Sequence, residues 1–134
     1  MLNNAFEGYN ACLFAYGQTG SGKSYSIVGY GENKGVIPRA CEEIFQRIAK
    51  RDADPSVNIK HEVRLSMIEI YNEKVQDLLQ KADKRSKDGL EVREHPKTGV
   101  FVKDLLDIPV SSYDEIDRQI KTGTSNRTIG QTNM

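Results

Sequence analysis

A chain of 134 residues is the size of one domain, and with 37% hydrophobic and 28% charged residues its core must be thin. Nineteen basic side chains balance nineteen acidic ones, which argues against nucleic-acid binding, since that needs a strong basic excess. No apolar run is long enough to cross a bilayer, and Met1-Leu2-Asn3-Asn4 lacks the basic start and apolar stretch of a signal peptide. The expectation is a cytoplasmic chain without membrane contact. Cys12 and Cys41 sit in apolar patterns without metal-type spacing and read as reduced core residues.

In chain order, Ala11 to Tyr16 is an apolar run of strand length, as expected of a strand buried on both faces. It ends on Gly17-Gln18-Thr19-Gly20-Ser21-Gly22-Lys23-Ser24, a match to G-x-x-x-x-G-K-[ST]. That pattern suits nucleotide phosphates for physical reasons. Backbone N–H groups of a tight loop replace the water that a phosphate must lose. Glycines let the backbone bend and approach closely. Lys23 brings a compact positive charge, and Ser24 offers a hydroxyl oxygen to Mg²⁺. A short helix should run on through Val28, followed by a flexible loop at 29–35 containing three glycines. Helix resumes near Ile37, with Pro38 in its first turn and an apolar stripe of Ala40, Cys41, Ile44, Phe45 and Ile48.

Val57 to Tyr71 reads as one long strand whose alternation changes phase at Ile68. His61 alternates with apolar neighbours and is expected to pack. Asn72-Glu73 should turn the chain into a helical piece from Lys74 to Leu79, and the charged stretch from Gln80 to Asp88 into a mobile loop. Leu90–Glu94 and Val100–Asp104 predict a hairpin with its tip at 95–99. Ser112 with Glu115 three residues later is a capping box that opens a helix, which Gly123 should close. The tail from Thr124 to Met134 is polar and without period. Alternating strands and helices give the α/β class, a mixed central sheet flanked by helices.

The run from Gly8 to Tyr25 resembles the phosphate-loop region of the kinesin motor domain, a P-loop NTPase. Gly35-Val36-Ile37-Pro38-Arg39, the segment Ile68 to Leu79, Ser125-Asn126-Arg127 and Thr132-Asn133-Met134 resemble later kinesin segments in the same order. Ser24 followed by Tyr25 leans towards the kinesin-3 branch. The resemblance covers essentially the whole chain and implies a partial motor domain over 1–134, truncated at both ends. Both switch motifs, the neck and any coiled coil lie outside it, so dimerisation would need regions absent here.

The resemblance implies ATP with Mg²⁺ as ligands, held by Gly17, Gln18, Thr19, Gly20, Ser21, Gly22, Lys23 and Ser24. Ser24 would be the Mg²⁺ contact, and Tyr25 would lie near the adenine. It assigns no catalytic residue within these positions. It implies tubulin, in the microtubule, as partner, with Lys74, Arg93, Lys97 and Lys103 as candidate contacts and a cytoskeletal location. Lys81, Lys84, Arg85 and Lys87 form a further basic cluster, diluted by Asp83 and Asp88. Arg127, Thr132 and Asn133 stand just ahead of the first switch in the family's order. The function so implied is the ATP-binding part of a microtubule motor, with no microtubule-stimulated turnover expected of the isolated chain. The alternatives are a non-hydrolysing nucleotide- or tubulin-binding module, and a different phosphate-loop enzyme such as a GTPase. The lack of an Asn-Lys-x-Asp guanine signature counts against the last.

Overall fold

Asn72 and Glu73 both adopt positive φ, at 49° and 62°. Two consecutive left-handed residues are what a two-residue hairpin loop requires, because that twist matches the twist of the flanking strands. In the computed structural model, which describes residues 1–132 and side chains as far as Arg127, this reversal replaces the expected helix at Lys74–Leu79 by a strand. The chain forms two compact units, Met1–His61 and Glu62–Met134.

The first unit holds helix α1 (Leu2–Phe6), helix α2 (Lys23–Ile27), strands β1 (Gly29–Tyr30) and β2 (Asn33–Lys34), and helix α3 (Val36–Asp52). The glycine-rich stretch expected to be a flexible loop is a tight antiparallel hairpin, with Gly29 opposite Lys34 and Tyr30 opposite Asn33. Gly35 closes it. Its N–H donates to the carbonyl of Val28 at 3.0 Å. A Cβ there would stand 2.5 Å from the backbone of Ile27, so only glycine lets α3 start so close to the end of α2. Pro38 is buried in the first turn of α3, where its missing N–H costs nothing. The stripe of Ala40, Cys41, Ile44, Phe45 and Ile48 is half-buried, and burial pushes the Cys41 thiol pKa up.

At the other end of α3, Arg47 and Arg51 place their guanidinium carbons 5.5 and 4.8 Å from the centroid of the Phe6 ring. His61 lies against the same ring, 6.4 Å between centroids, and meets Asp52 at 3.4 Å. The packing role expected of His61 is what these contacts show.

Residues 11–16 depart from expectation. They form no strand; Phe14 is 82% and Tyr16 96% exposed, and Cys12 is exposed rather than in a core. A strand exists through its ladder, and among the described residues no backbone pairs with this segment.

The second unit holds β3 (Val63–Leu65), β4 (Ile68–Tyr71), β5 (Lys74–Asp77), a 3₁₀ turn at Ala82–Lys84, β6 (Val92–His95), β7 (Gly99–Val102), β8 (Ile108–Val110) and helix α4 (Tyr113–Thr132). The expected long strand is thus two short ones, with 57–62 outside any ladder. β4 pairs with β5, Ile70 opposite Val75, and β3 pairs with β8, Val63 opposite Val110. The β6–β7 hairpin lies where the sequence placed it, with His95 opposite Gly99. Counting both units, the described strands form four two-stranded antiparallel ladders. Gly89 lets Leu90 reach the β5 edge: the Leu90 N–H donates to the Val75 carbonyl at 2.7 Å, and a Cβ on Gly89 would sit 2.8 Å from that same oxygen.

The apolar centre of this unit is Val75, Leu78, Leu79, Val110, Ile116 and Ile120. Within it lies one charged side chain, Asp77, only 4% exposed. Its Oδ1 accepts the N–H groups of Leu79 at 2.8 Å and Gln80 at 3.2 Å, and its Oδ2 that of Leu106 at 2.9 Å. A carboxylate buried with three donors is stable where a bare one would not be. Asp77 thereby joins the end of β5 to the approach to β8.

Helix α4 starts as expected: the Glu115 N–H donates to Ser112 Oγ at 3.3 Å. The Glu115 carboxylate reaches one residue further back than a capping box requires, accepting the Ser111 N–H at 2.7 Å and its hydroxyl at 3.2 Å. Those bonds hold its pKa below the ordinary carboxylate range. The helix does not stop at Gly123 but runs on to Thr132. Gly123 is buried, and its bare Cα accommodates the Met67 thioether. Its function is close approach, not termination. Asn133 and Met134 lie outside the described residues, as does the side chain of Thr132.

Asp77→Ala leaves three backbone donors without their acceptor, and a loss of about 2–4 kcal/mol is expected from hydrogen bonds to a charged group. Urea denaturation followed by far-UV circular dichroism measures it; an unchanged midpoint contradicts the role assigned to Asp77. For Glu115 the folded pKa is depressed, so its stabilisation is present above the unfolded value of about 4.3 and is lost as pH falls through the folded value. The parent chain should therefore lose stability more steeply than Glu115→Gln below that pH. Coincident acid limbs for the two chains in thermal melts contradict this.

Candidate nucleotide-binding loop

Gly17, Gly20 and Gly22 have φ of 155°, 83° and 92°. At the last two an L side chain would be strained, although a Cβ there would meet nothing within 4 Å. At Gly17 a Cβ would stand 2.5 Å from Ser21 Oγ. The loop is therefore a bend that is open on the side of Gly20 and Gly22 and tight at Gly17. Inside the bend, the Ser21 N–H donates to the Gln18 carbonyl at 3.1 Å. The Ser26 N–H donates to the Gly22 carbonyl at 2.9 Å, where α2 begins.

Lys23 turns back over this bend. Its ammonium donates to the Gln18 carbonyl at 2.8 Å and also to the Gly17 carbonyl. One cation thus gathers two carbonyls at the loop's entrance. Among the described residues, the amides of Gly20, Gly22, Lys23 and Ser24 make no backbone hydrogen bond. Four donors with no backbone acceptor, a movable ammonium and the exposed Ser24 hydroxyl lie within five consecutive residues. That donor set suits an anion rich in oxygen, and the small hydroxyl suits a hard cation beside it. Gln18 and Thr19 are exposed. Tyr25, in the first turn of α2, is half exposed and its ring centroid lies 6.3 Å from that of Tyr30 on β1, at a 33° tilt. Tyr30 is a neighbour that sequence reading missed; the short hairpin that carries it was itself expected to be loose.

The four cations singled out in the second unit lie on its hairpins and their edges. Lys74 opens β5 and donates to the Lys87 carbonyl at 3.0 Å, with Asp88 at 3.8 Å. Arg93 on β6 pairs with Glu91, Nε to Oε2 at 2.9 Å. Lys97 is at the β6–β7 tip, where its N–H donates to His95 Nδ1 at 3.2 Å. Lys103 follows β7, with Asp104 at 3.8 Å. All four are exposed. Arg127, on α4, pairs with Glu69 of β4 at 3.2 Å, and Asn126 beside it donates to the Leu78 carbonyl at 2.7 Å. Both are anchored within the second unit rather than merely solvated. No group of His, Cys, Asp and Glu among the described residues could hold a metal ion, and no helix there is long and apolar enough to cross a membrane.

The kinesin motor domain family matches residues 1–134. Kinesin-related protein 1 of Dictyostelium discoideum is 48% identical over 134 residues, covering all of this chain and 6% of that protein. Kinesin-like protein KIF13A of Mus musculus is 47% identical over 134 residues, again all of this chain and 7% of that protein. Among solved structures, a KIF14 dimer in its two-heads-bound state, with AMP-PNP and in complex with a microtubule, superposes with a TM-score of 0.85 at 44% identity. The superposition covers 94% of this chain and 34% of that one. The chain therefore spans a small part of these curated relatives and about a third of that solved motor. The P-loop NTPase fold of those motor domains is the fold class to which the bend at Gly17–Ser24 and the helix after it correspond. The chain belongs to the kinesin motor domain family, with members of the kinesin-3 branch among its relatives.

Proposed function

We propose that this chain is the part of a microtubule motor that holds ATP, with Gly17–Ser24 cradling the phosphates. The observation that carries the reading is the pairing of Lys23 with two carbonyls of its own bend, next to four amides with no backbone acceptor. Gly20, Gly22, Lys23 and Ser24 would offer their N–H groups to phosphate oxygens. The Lys23 ammonium, a flexible point charge rather than a fixed fork, is able to leave the Gly17 and Gln18 carbonyls for them. Ser24 Oγ would hold Mg²⁺, which in this family of chemistry neutralises charge on the phosphates. Tyr25 would lie along the adenine, with Tyr30 behind it. AMP-PNP in the solved KIF14 complex supports nucleotide as the ligand class.

Within the first unit no carboxylate or imidazole hydrogen-bonds the loop among the described residues. The loop's share of the work is therefore binding and orientation, and no residue of the chain is assigned to water activation. For the second unit we propose the acidic microtubule as partner, met by Lys74, Arg93, Lys97 and Lys103; the microtubule complex of the KIF14 relative supports this. Cytoskeletal, cytoplasmic location follows from the same reading, as does the family's use of ATP hydrolysis for movement. A nucleotide-holding module without turnover is the reading favoured for the chain by itself, because the described loop has donors but no base.

Titration of a fluorescent ATP analogue into the 134-residue chain tests the proposal. Binding should require Mg²⁺, and Lys23→Ala should weaken it about tenfold or more, the effect of losing a charged hydrogen bond of about 1.5–3 kcal/mol. Ser24→Ala should remove most of the gain from Mg²⁺. Equal affinity in all three chains, or no binding by the parent chain, contradicts the reading.

A further inference from the structure

We infer that Met67 is a modification site, a thioether whose oxidation by hydrogen peroxide loosens helix α4 from the rest of the second unit. Met67 lies between β3 and β4, and its carbonyl accepts the Leu78 N–H at 2.9 Å, so its backbone is tied to the end of β5. Its sulfur stands where a side chain on Gly123 would begin. A Cβ on Gly123 would collide with Met67 Sδ, and would lie 3.4 Å from the Met67 methyl and 3.5 Å from Leu79 Cδ2. Ile116, Ile120 and Gly123 are all buried and recur at i, i+4 and i+7, so they form one stripe of α4. The sulfur therefore fills the gap that a glycine leaves in the face by which α4 is packed.

A thioether packs like a hydrocarbon but remains a nucleophile. Met67 is half-buried rather than sealed, which leaves access for a molecule as small as peroxide. A lone pair of Sδ attacks one peroxide oxygen, and the O–O bond breaks as the S–O bond forms. The departing hydroxide takes the proton from the transferred oxygen and leaves as water. Sulfur gives up two electrons, peroxide accepts them, and the product is methionine sulfoxide.

The sulfoxide does not suit the place the thioether filled. Its oxygen is a strong acceptor and costs free energy wherever it has neither a donor nor water. Turned inward, it meets the Leu79 methyl and the helical backbone at Gly123. Turned outward to water, it draws the sulfur away from Gly123 and leaves that gap unfilled. In either orientation α4 loses the contact next to Ile120. Beyond Gly123 the helix is held by polar ties, Asn126 to the Leu78 carbonyl at 2.7 Å and Arg127 to Glu69 at 3.2 Å, which do not replace apolar packing. Met1, exposed at the start of the chain, has no such role and serves as the internal reference. The inference stands apart from the nucleotide reading and from the hairpin cations.

Treating the folded 134-residue chain with hydrogen peroxide, mapping the added oxygen by peptide mass spectrometry and then measuring urea denaturation is the test. Met67 should gain one oxygen, and the urea midpoint should fall by roughly 0.5–1 M, as for one lost buried contact in a small domain. Amide exchange along 113–127 should quicken. Dithiothreitol alone reverses sulfenic acid or disulfide at the exposed Cys12, and should leave the midpoint low. Dithiothreitol with methionine sulfoxide reductases A and B should restore it. These measurements need only the parent chain. In addition, Met67→Leu, which keeps the volume and removes the sulfur, should hold its own midpoint through the same treatment. Met67 left unoxidised at a dose that converts Met1, an unchanged midpoint after Met67 is converted, or full recovery with dithiothreitol alone would overturn the inference.

Discussion

Backbone groups without a ladder partner are held here by charged side chains, and both units depend on that device. The Asp77 carboxylate serves the N–H groups of Leu79, Gln80 and Leu106 inside the second unit. In the first unit, the Lys23 ammonium serves the carbonyls of Gly17 and Gln18. Arg85 and Lys74 do the same for the carbonyls of Gln80 and Lys87, and the neutral Asn126 amide serves that of Leu78. Short two-stranded ladders leave many peptide groups unpaired, and an unpaired buried peptide group costs as much as a lost hydrogen bond. Ionised partners meet that demand with fewer contacts than neutral ones, since each bond is stronger.

The two cases differ in what the charge is free to do afterwards. Asp77 is buried and its carboxylate accepts three backbone N–H groups; it is a fixed staple. Lys23 is half-buried at its bend, on a flexible four-carbon stem, and one of its two acceptors, the Gln18 carbonyl, lies on an exposed residue that water can reach. Its bonds are therefore exchangeable. That contrast is why the loop, and not the Asp77 cluster, is read as the site: a binding group must be able to change partners, whereas a structural one must not.

Much of this was legible in the sequence. The spacing Gly17, Gly22, Lys23, Ser24 is constrained by backbone conformation and by charge at once, so few sequences carry it by chance. The β6–β7 hairpin and the start of α4 were equally clear, because turn residues and a capping pair act locally. What the sequence hid was set by partners distant in the chain. β8 is three residues, one of them Pro109, and becomes a strand only because β3 pairs with it. Gly123 looks like a helix stop, yet its bare Cα faces the thioether of Met67, a contact made across more than fifty residues of sequence. Lys74 to Leu79 looks helical until Asn72 and Glu73 both turn left-handed. Residues 11–16 have a strand's composition but, among the described residues, no ladder. Asp77 gave no signal, since an aspartate before two leucines is as easily a surface charge.

The claim that rests most heavily on the structure is that the amides of Gly20, Gly22, Lys23 and Ser24 await an anion. Backbone amide hydrogen exchange, resolved by residue with and without a non-hydrolysable ATP analogue and Mg²⁺, tests it directly. The account predicts slower exchange at those four amides on adding the analogue, with the β6–β7 hairpin unchanged. Exchange at the four that stays the same at saturating analogue would contradict it.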